Sequence, residues 1–315
     1  MTEINLPQIL FPYFESISPP ERPQFHQLWD VNGITELVSC RFGEVPKGSL
    51  LSYQLPVVSD STDNVIVLSD VPSQPPFTFP DLSPFVQSFL PVTDYLQNTF
   101  SSLEVSGAMS REFEEATRSQ SSIEDWHRLR KNRITASKFK RICSRRSNFD
   151  SLATQFLSNR TVTTSSMRFG IENEPVAAEM YAKDFGRNVY RVGFVINPTC
   201  SFLGASPDRR VFDPDVNEWG LLEIKCTISN SVANCEYLAL SKKKENQQLM
   251  LKRSHEYYYQ VMGQMGITGS AWCDFFVMAR DDYHVERIVY EESVFHDIMS
   301  KLCSFFFTTF LSRIQ

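Results

Sequence analysis

The stretch of sequence that decides the fold is GASPDRRVFDPDVNEWGLLEIKC, residues 204–226. Its last part, GLLEIKC, predicts a strand bounded by turn residues. Because alternate side chains of a strand share a face, Leu222 and Ile224 point to one side of this strand. Glu223 and Lys225 then point to the other side. The alternation therefore predicts a strand with one apolar face for the core and one polar face for chemistry.

The polar face of this strand lies next to a predicted turn that presents Asp208. Asp208, Glu223 and the main-chain carbonyl of Ile224 supply the oxygen ligands that Mg²⁺ or Mn²⁺ prefers. Lys225 fits a group that orients an attacking water, or lowers its pKa, while it stabilises charge in the transition state. A plainer interpretation is open for each piece alone. Asp after Pro is common in turns, and Glu with Lys on a strand face is commonly a solvated ion pair.

Helices and strands are interleaved on both sides of this stretch, which favours an α/β (α+β) domain around a central mixed β-sheet flanked by helices. Pro175 is predicted to open one helix, and Gly186 to end it in the left-handed conformation. The predicted helices cover residues 126–133, 137–143, 175–185, 231–251, 255–267 and 294–305. The predicted strands cover residues 188–196, 220–226, 270–279 and 284–290.

The composition limits the class of protein. The chain has 315 residues, with 31 Lys and Arg against 37 Asp and Glu, which excludes a generally basic nucleic-acid coat. Its seven cysteines contain no CxxC pair, which is typical of a reducing compartment. We find no signal peptide and no apolar run long enough for a membrane span. We therefore expect a soluble, intracellular protein without membrane partners, and the basic runs also allow a nuclear location.

The chain changes character near residue 110. Residues 1–110 contain 3 basic and 12 acidic residues, and 13 of the 17 prolines lie before residue 92. We predict a Pro-rich, acidic N-terminal region over 1–110, to which we assign no chemistry, and a catalytic domain over 111–315. Short apolar pieces such as QILFPYF, NVIVL and FVQSFLPV indicate that parts of the first region dock on the second.

A basic segment opens the second region. From Trp126 to Phe149 there are nine Lys or Arg residues and no acidic residue. Such a segment suits the phosphate backbone of a duplex, although a solvated helix face or a nuclear-import signal has the same composition. Lys242–Lys244 is open to the same two interpretations. The candidate DNA contacts in the segment are Arg128, Arg130, Lys131, Arg133, Ser137 and Lys138.

Five landmarks in order carry a family resemblance. They are RITAS (133–137), GIENE (170–174), SPD (206–208), EIK (223–225) and YQV (259–261). With these landmarks the chain resembles the lambda-exonuclease-like, YqaJ viral recombinase family of the PD-(D/E)xK nuclease superfamily over about residues 125–310. The resemblance implies a restriction-endonuclease-like core.

The resemblance also implies roles for the landmark residues. Asp208, Glu223 and the Ile224 carbonyl become metal ligands, Lys225 the catalytic lysine, and Glu174 the completion of the acidic cluster. Gln260 is implied to orient Lys225 or the attacking water, although a helical amide is ordinarily a surface group. Arg133 is implied to contact a phosphate.

One departure concerns Arg209, because the family usually has Gly after the Ser-Pro-Asp turn. Glycine there would permit a positive φ. Arg209 either shifts the turn and misplaces Asp208 or adds a phosphate contact.

We therefore expect a Mg²⁺- or Mn²⁺-dependent deoxyribonuclease, an exonuclease that acts on ends of double-stranded DNA in recombination or repair. The family resemblance adds a 5′-to-3′ direction and a homotrimer. A catalytically inactive DNA-binding or interaction module derived from a mobile element is the alternative, and an RNA-directed nuclease would use the same metal site.

Overall fold

A computed structural model of the protein describes residues 37–40, 43–46, 64–89, 93–158, 164–241 and 248–314. The chain separates into two compact units, residues 1–62 and 63–315. In the first unit, β1 (Leu37–Cys40) pairs with β2 (Gly43–Pro46) in antiparallel register. The predicted site residues all lie in the second unit. The apolar piece QILFPYF, at residues 8–14, lies outside the described residues.

The second unit is built around a mixed sheet. Its described strands are β3 (Ile134–Thr135), β4 (Asn188–Arg191), β5 (Val195–Ile196), β6 (Leu203–Ala205), β7 (Arg209–Asp213), β8 (Glu218–Cys226), β9 (Leu238–Leu240), β10 (Leu249–Leu251), β11 (Trp272–Met278) and β12 (Tyr283–Val289). The central sheet has the order β12-β11-β8-β7-β4, in which β8 and β11 are parallel and the other neighbours antiparallel. A small sheet, β3-β6-β5, and the pair β9 and β10 complete the strands.

The described α-helices are α1 (Ser83–Gln87), α2 (Asp94–Ser101), α3 (Gly107–Ala116), α4 (Glu124–Lys131), α5 (Phe139–Cys143), α6 (Phe149–Leu157), α7 (Ser165–Phe185), α8 (Glu256–Thr268) and α9 (Glu292–Phe305). Helices α7 and α8 lie on the two sides of β8. A search of the described residues for a helix long and apolar enough to cross a membrane found none.

Strand β8 has the two faces that its alternation predicts. Leu222 and Ile224 pack in one apolar cluster with Tyr181 of α7. Glu223 points to the opposite side, where it meets α8. Both faces are covered, because α7 lies on one and α8 on the other. The predicted mixed sheet flanked by helices is confirmed.

The last two helices each present an apolar stripe at helical spacing to the core. In α8 this stripe is buried and consists of Tyr258, Val261, Met262 and Met265. In α9 the spacing of apolar residues gives a second buried stripe of Phe295, Ile298, Leu302 and Phe305. Both helices contribute to the larger apolar cluster of the unit, so α9 closes the core as its pattern predicts.

Two predicted helices are wrong. Pro175 does not open its helix, because α7 begins ten residues earlier at Ser165 and contains the proline. An interior proline costs one helical hydrogen bond, which the packing of α7 against the sheet outweighs. The predicted helix over 231–251 is replaced by a 3₁₀ turn and the strands β9 and β10. Asp282 anchors this segment by accepting hydrogen bonds from Val232 N–H at 2.8 Å and Ser231 Oγ at 2.7 Å.

The apolar pieces between residues 64 and 110 dock on the core. Val65 forms a β-bridge with Val189 of β4, and Asn188 Oδ1 accepts hydrogen bonds from the N–H groups of Val67 and Leu68. Farther along, Val86 of α1 is buried in the larger apolar cluster. Composition therefore changes near residue 110, whereas described residues as early as Val65 already pack on the core.

Candidate active site

A cleft of about 460 Å³ opens where α7, β8 and α8 meet the turn between β6 and β7. Its wall includes four of the predicted site residues, Glu174, Asp208, Ile224 and Lys225, together with the ring of Tyr257. Glu223 lies behind this wall and is only 1% exposed. The structure thus brings these five predicted residues to one place from three different elements.

Asp208 is fixed by the strand that follows its turn. Its Oδ2 accepts a hydrogen bond from the main-chain N–H of Ile224 at 2.7 Å. Burial raises the pKa of the Asp208 carboxyl well above its ordinary value of 3.8, and the negative charges of Glu223 and Glu174 raise it further. Ionisation of the Asp208 carboxyl therefore has an energetic cost, which a cation in the cleft would reduce.

Glu223 is held by three donors. Lys225 Nζ and Gln260 Nε2 both bond to Oε1, the second at 2.6 Å. Gln264 Nε2 donates to Oε2 at 2.7 Å. Gln264 was not among the predicted site residues, although its i, i+4 spacing from Gln260 places the two amides on one helix face. Gln260 thus positions Glu223, because its amide donates to the same carboxylate oxygen as Lys225.

Lys225 keeps its proton in this environment. Burial opposes the charged ammonium most strongly, but Glu223, Asp208 and Tyr257 outweigh it and raise the pKa of Lys225 above its ordinary range. Its Nζ lies 4.7 Å from the centre of the Tyr257 ring. A lysine that stays protonated at neutral pH cannot abstract a proton, so the geometry favours charge stabilisation and orientation of water.

Arg209 does not contact the cleft, which corrects its prediction as a phosphate contact. Its side chain is 5% exposed, and its Nη1 donates to Glu174 Oε1 at 2.8 Å and to the Asp208 carbonyl at 2.6 Å. The turn needs no glycine either, because Arg209 begins β7 and is not among the described residues with a positive φ. Arg209 therefore leaves Asp208 in place and engages Glu174.

The carboxylates of the cleft are candidate ligands for a metal ion. In the described ranges, no group of three or more His, Cys, Asp or Glu side chains is arranged to hold one. The carboxylates of Asp208 and Glu223 lie close enough to interact electrostatically, and they offer the oxygen donors that a hard cation binds. Glu174 is instead paired with Arg209. The residues present fit an ion on two carboxylates.

The basic segment divides into buried and exposed residues. Arg133 is 6% exposed and donates to the main-chain carbonyls of Leu103, Leu129 and Ser201 at 2.7–2.9 Å. Its three nitrogens are thereby engaged, so the prediction of a phosphate contact at Arg133 is wrong. The sequence could not show this, because the carbonyls come from three separate segments.

Arg130 also has a structural contact. Its Nη1 donates to Ser206 Oγ at 3.0 Å, and its guanidinium lies 3.8 Å from the centre of the Trp126 ring. Because Trp126 Nε1 donates to the same Ser206 hydroxyl, the pair supports the turn that carries Asp208. Lys138 is half-buried, and burial lowers its pKa to about 8.

The remaining candidates for DNA contacts lie at the surface. Arg128, Lys131 and Ser137 are exposed, and Arg128 forms an ion pair with Asp125. A phosphate can reach these three side chains without a rearrangement of the core. Lys242–Lys244 lies outside the described residues.

The raised pKa of the Asp208 carboxyl leads to a prediction about stability. Because the folded pKa is raised, the penalty for the charged form is absent below pH 3.8 and grows as the pH rises toward the folded pKa. We expect Asp208→Asn, measured in EDTA, to raise the free energy of unfolding at pH 7 by about 1–2 kcal/mol. The difference should vanish in acid. Thermal unfolding at several pH values measures it, with the exposed Asp297→Asn as control, and a less stable Asp208→Asn variant at pH 7 would contradict the prediction.

Comparison with solved structures gives several matches. The alkaline exonuclease LHK-Exo from Laribacter hongkongensis is 27% identical with a TM-score of 0.45, over 58% of this chain and 90% of that chain. The SOX protein in a DNA complex is 17% identical with a TM-score of 0.43, over 72% and 80%. The KSHV SOX protein in an RNA complex is 15% identical with a TM-score of 0.45, over 65% and 73%. A comparison with curated protein sequences gave no match.

The mixed sheet, its flanking helices and the carboxylates with a lysine at one cleft define an α/β domain with an acidic cleft. Within that class, residues 125–271 match the family model of the YqaJ-like viral recombinase domain. This match contains all five sequence landmarks, from RITAS to YQV. The resemblance to the YqaJ viral recombinase family drawn from those landmarks is confirmed over residues 125–271.

Proposed function

We propose that the protein is a metal-dependent deoxyribonuclease that acts on the ends of double-stranded DNA. The observation that carries the proposal is the convergence of Asp208, Glu223 and Lys225 at one cleft, inside a domain that matches the YqaJ-like viral recombinase model. A Mg²⁺ or Mn²⁺ ion would be held by Asp208, Glu223 and the Ile224 carbonyl, and would supply an activated water and charge neutralisation.

The chain's own residues have distinct parts in this reaction. Asp208 is fixed by the Ile224 N–H, so its carboxylate keeps one orientation toward the cleft. Gln260 and Gln264 fix both oxygens of Glu223. Lys225 brings a protonated ammonium to the reacting phosphate, where it orients the attacking water and stabilises the charge that develops on the phosphate oxygens.

The exposed basic residues would supply affinity for the duplex. Arg128 and Lys131 can pair with backbone phosphates, and Ser137 can donate a hydrogen bond to one. Lys140 lies 4.6 Å from the centre of the ring of Tyr259, the residue of α8 directly before Gln260. These contacts carry no sequence information, so we expect binding without sequence preference and with strong salt dependence.

An inactive DNA-binding module is the second candidate. The observations that favour it are the pairing of Glu174 with Arg209 and the three donors on Glu223, which together engage two of the three predicted carboxylates. In that case the cleft would bind DNA without hydrolysis. Turnover therefore has to be measured directly.

The test is a digestion assay with end-labelled linear duplex, closed circular duplex and RNA, each with Mg²⁺, Mn²⁺ or EDTA. We expect degradation of the linear duplex in either metal, and protection of the circle and of all substrates in EDTA. DNA binding without cleavage in both metals would establish the inactive module. Cleavage of RNA alone would establish an RNA-directed nuclease. The homotrimer that the resemblance implies stays a prediction, which analytical ultracentrifugation measures.

A further inference from the structure

We propose that Arg209 acts as a built-in cation that withdraws Glu174 from metal binding, so that the cleft takes up one divalent ion on Asp208 and Glu223. This inference rests on the proposed function. Arg209 is a positioning residue in this scheme, because it acts through Glu174 and does not reach the cleft. It is also the position at which this chain departs from the family's usual glycine.

Arg209 connects two elements of the site, and we call this connection the tether. Its Nη1 donates both to Glu174 Oε1 at 2.8 Å and to the Asp208 carbonyl at 2.6 Å, so a single nitrogen links α7 to the turn that carries Asp208. The side chain of Arg209 is 5% exposed, whereas that of Glu174 is 33% exposed at the cleft wall. A buried guanidinium that lost its carboxylate would keep its charge without a partner, so the pair is held together.

The charges of the cluster show what the tether changes. Three carboxylates, of Glu174, Asp208 and Glu223, face two cations, Lys225 and Arg209. With all three carboxyl groups ionised, as metal binding requires of its ligands, the cluster has one uncompensated negative charge, and it would have two if Arg209 were neutral. The affinity of an oxygen site for a divalent ion rises with the negative charge of its ligands. Arg209 therefore lowers this affinity in two ways, because it adds a positive charge and it occupies Glu174.

The experiment is calorimetric titration with Mn²⁺ of the full chain and of variants, after circular dichroism has confirmed their fold. We expect one ion per chain for the wild type and for Arg209→Lys, which keeps the charge. Arg209→Gln should bind Mn²⁺ about tenfold more tightly, a change of about 1.4 kcal/mol, or take up a second ion. An unchanged affinity and stoichiometry in Arg209→Gln would overturn the inference.

A double variant keeps the test decisive if Arg209→Gln does not fold. Glu174→Gln with Arg209→Gln removes both charges and retains an amide hydrogen bond. We expect its Mn²⁺ affinity to lie within about threefold of the wild type, since Glu174 is not a ligand. A loss of more than about tenfold would assign Glu174 to the metal and overturn the inference.

The outcomes separate this inference from the proposed function. If the wild type binds one ion and Arg209→Gln is no different, only the inference is wrong. If Mn²⁺ binds to Arg209→Gln and not to the wild type, the one-ion site of the inference is wrong, and the natural protein is an inactive module. If neither the wild type nor any variant takes up Mn²⁺, the inference and the metal-dependent nuclease are both wrong.

Discussion

Replacement of Lys225 by Met is expected to lower the rate of linear duplex degradation by about 100- to 1,000-fold while duplex affinity stays within about threefold. The ammonium group of Lys225 lines the cleft beside Asp208, and the charges of Glu223 and Asp208 keep it protonated. Methionine retains the length of the side chain and its packing on Tyr257 but cannot donate to water or phosphate. Single-turnover degradation at saturating Mg²⁺ measures the change in the chemical step.

The control for this variant is Lys301→Met, an exposed lysine on α9. It should degrade DNA at the wild-type rate. Because Lys225 also neutralises Glu223, circular dichroism must show that the Lys225→Met variant is folded before its rate is interpreted. A folded Lys225→Met variant with more than a tenth of the wild-type rate would remove Lys225 from the chemistry.

Local pattern was sufficient to predict most of the fold around the site. The two faces of β8 follow from the alternation of apolar and polar residues, and the buried stripes of α8 and α9 follow from their helical spacing. Gly186 ends α7 in the left-handed conformation, with φ of 59°, as predicted. In each case the signal and the structure depend on residues within a few positions of one another.

The failures share a physical cause, which is contact between distant segments. The segment 231–241 has helical spacing, but Asp282 and the pairing of β9 with β10 hold it in another conformation. The charge of Arg209 predicts a surface contact, whereas its partner Glu174 lies 35 residues earlier in the chain. Sequence identifies which groups can pair but not which of them meet, so the residues of the cleft were predictable and their pairing was not.

Arg133 is a buried arginine whose contacts the sequence did not predict, and its replacement is expected to have a large effect on stability. We expect Arg133→Met to lower the free energy of unfolding by about 3–5 kcal/mol, because the guanidinium satisfies three main-chain carbonyls from separate segments. Methionine keeps the apolar stem of the side chain, so the loss reports the hydrogen bonds. Urea unfolding at pH 7 measures it. An Arg133→Met variant within 1 kcal/mol of the wild type would show that these hydrogen bonds contribute little.

Lys131, two residues earlier and exposed, provides the matched comparison. Lys131→Ala should leave the free energy of unfolding within about 0.5 kcal/mol of the wild type, because its side chain leaves no buried group unpaired. If it contacts a phosphate, the slope of log affinity against log salt should become shallower by about 0.9. The folded Arg133→Met variant should keep the wild-type slope, because the Arg133 guanidinium of the wild type is buried. The opposite assignment, a shallower slope in Arg133→Met and an unchanged one in Lys131→Ala, would return Arg133 to the DNA interface.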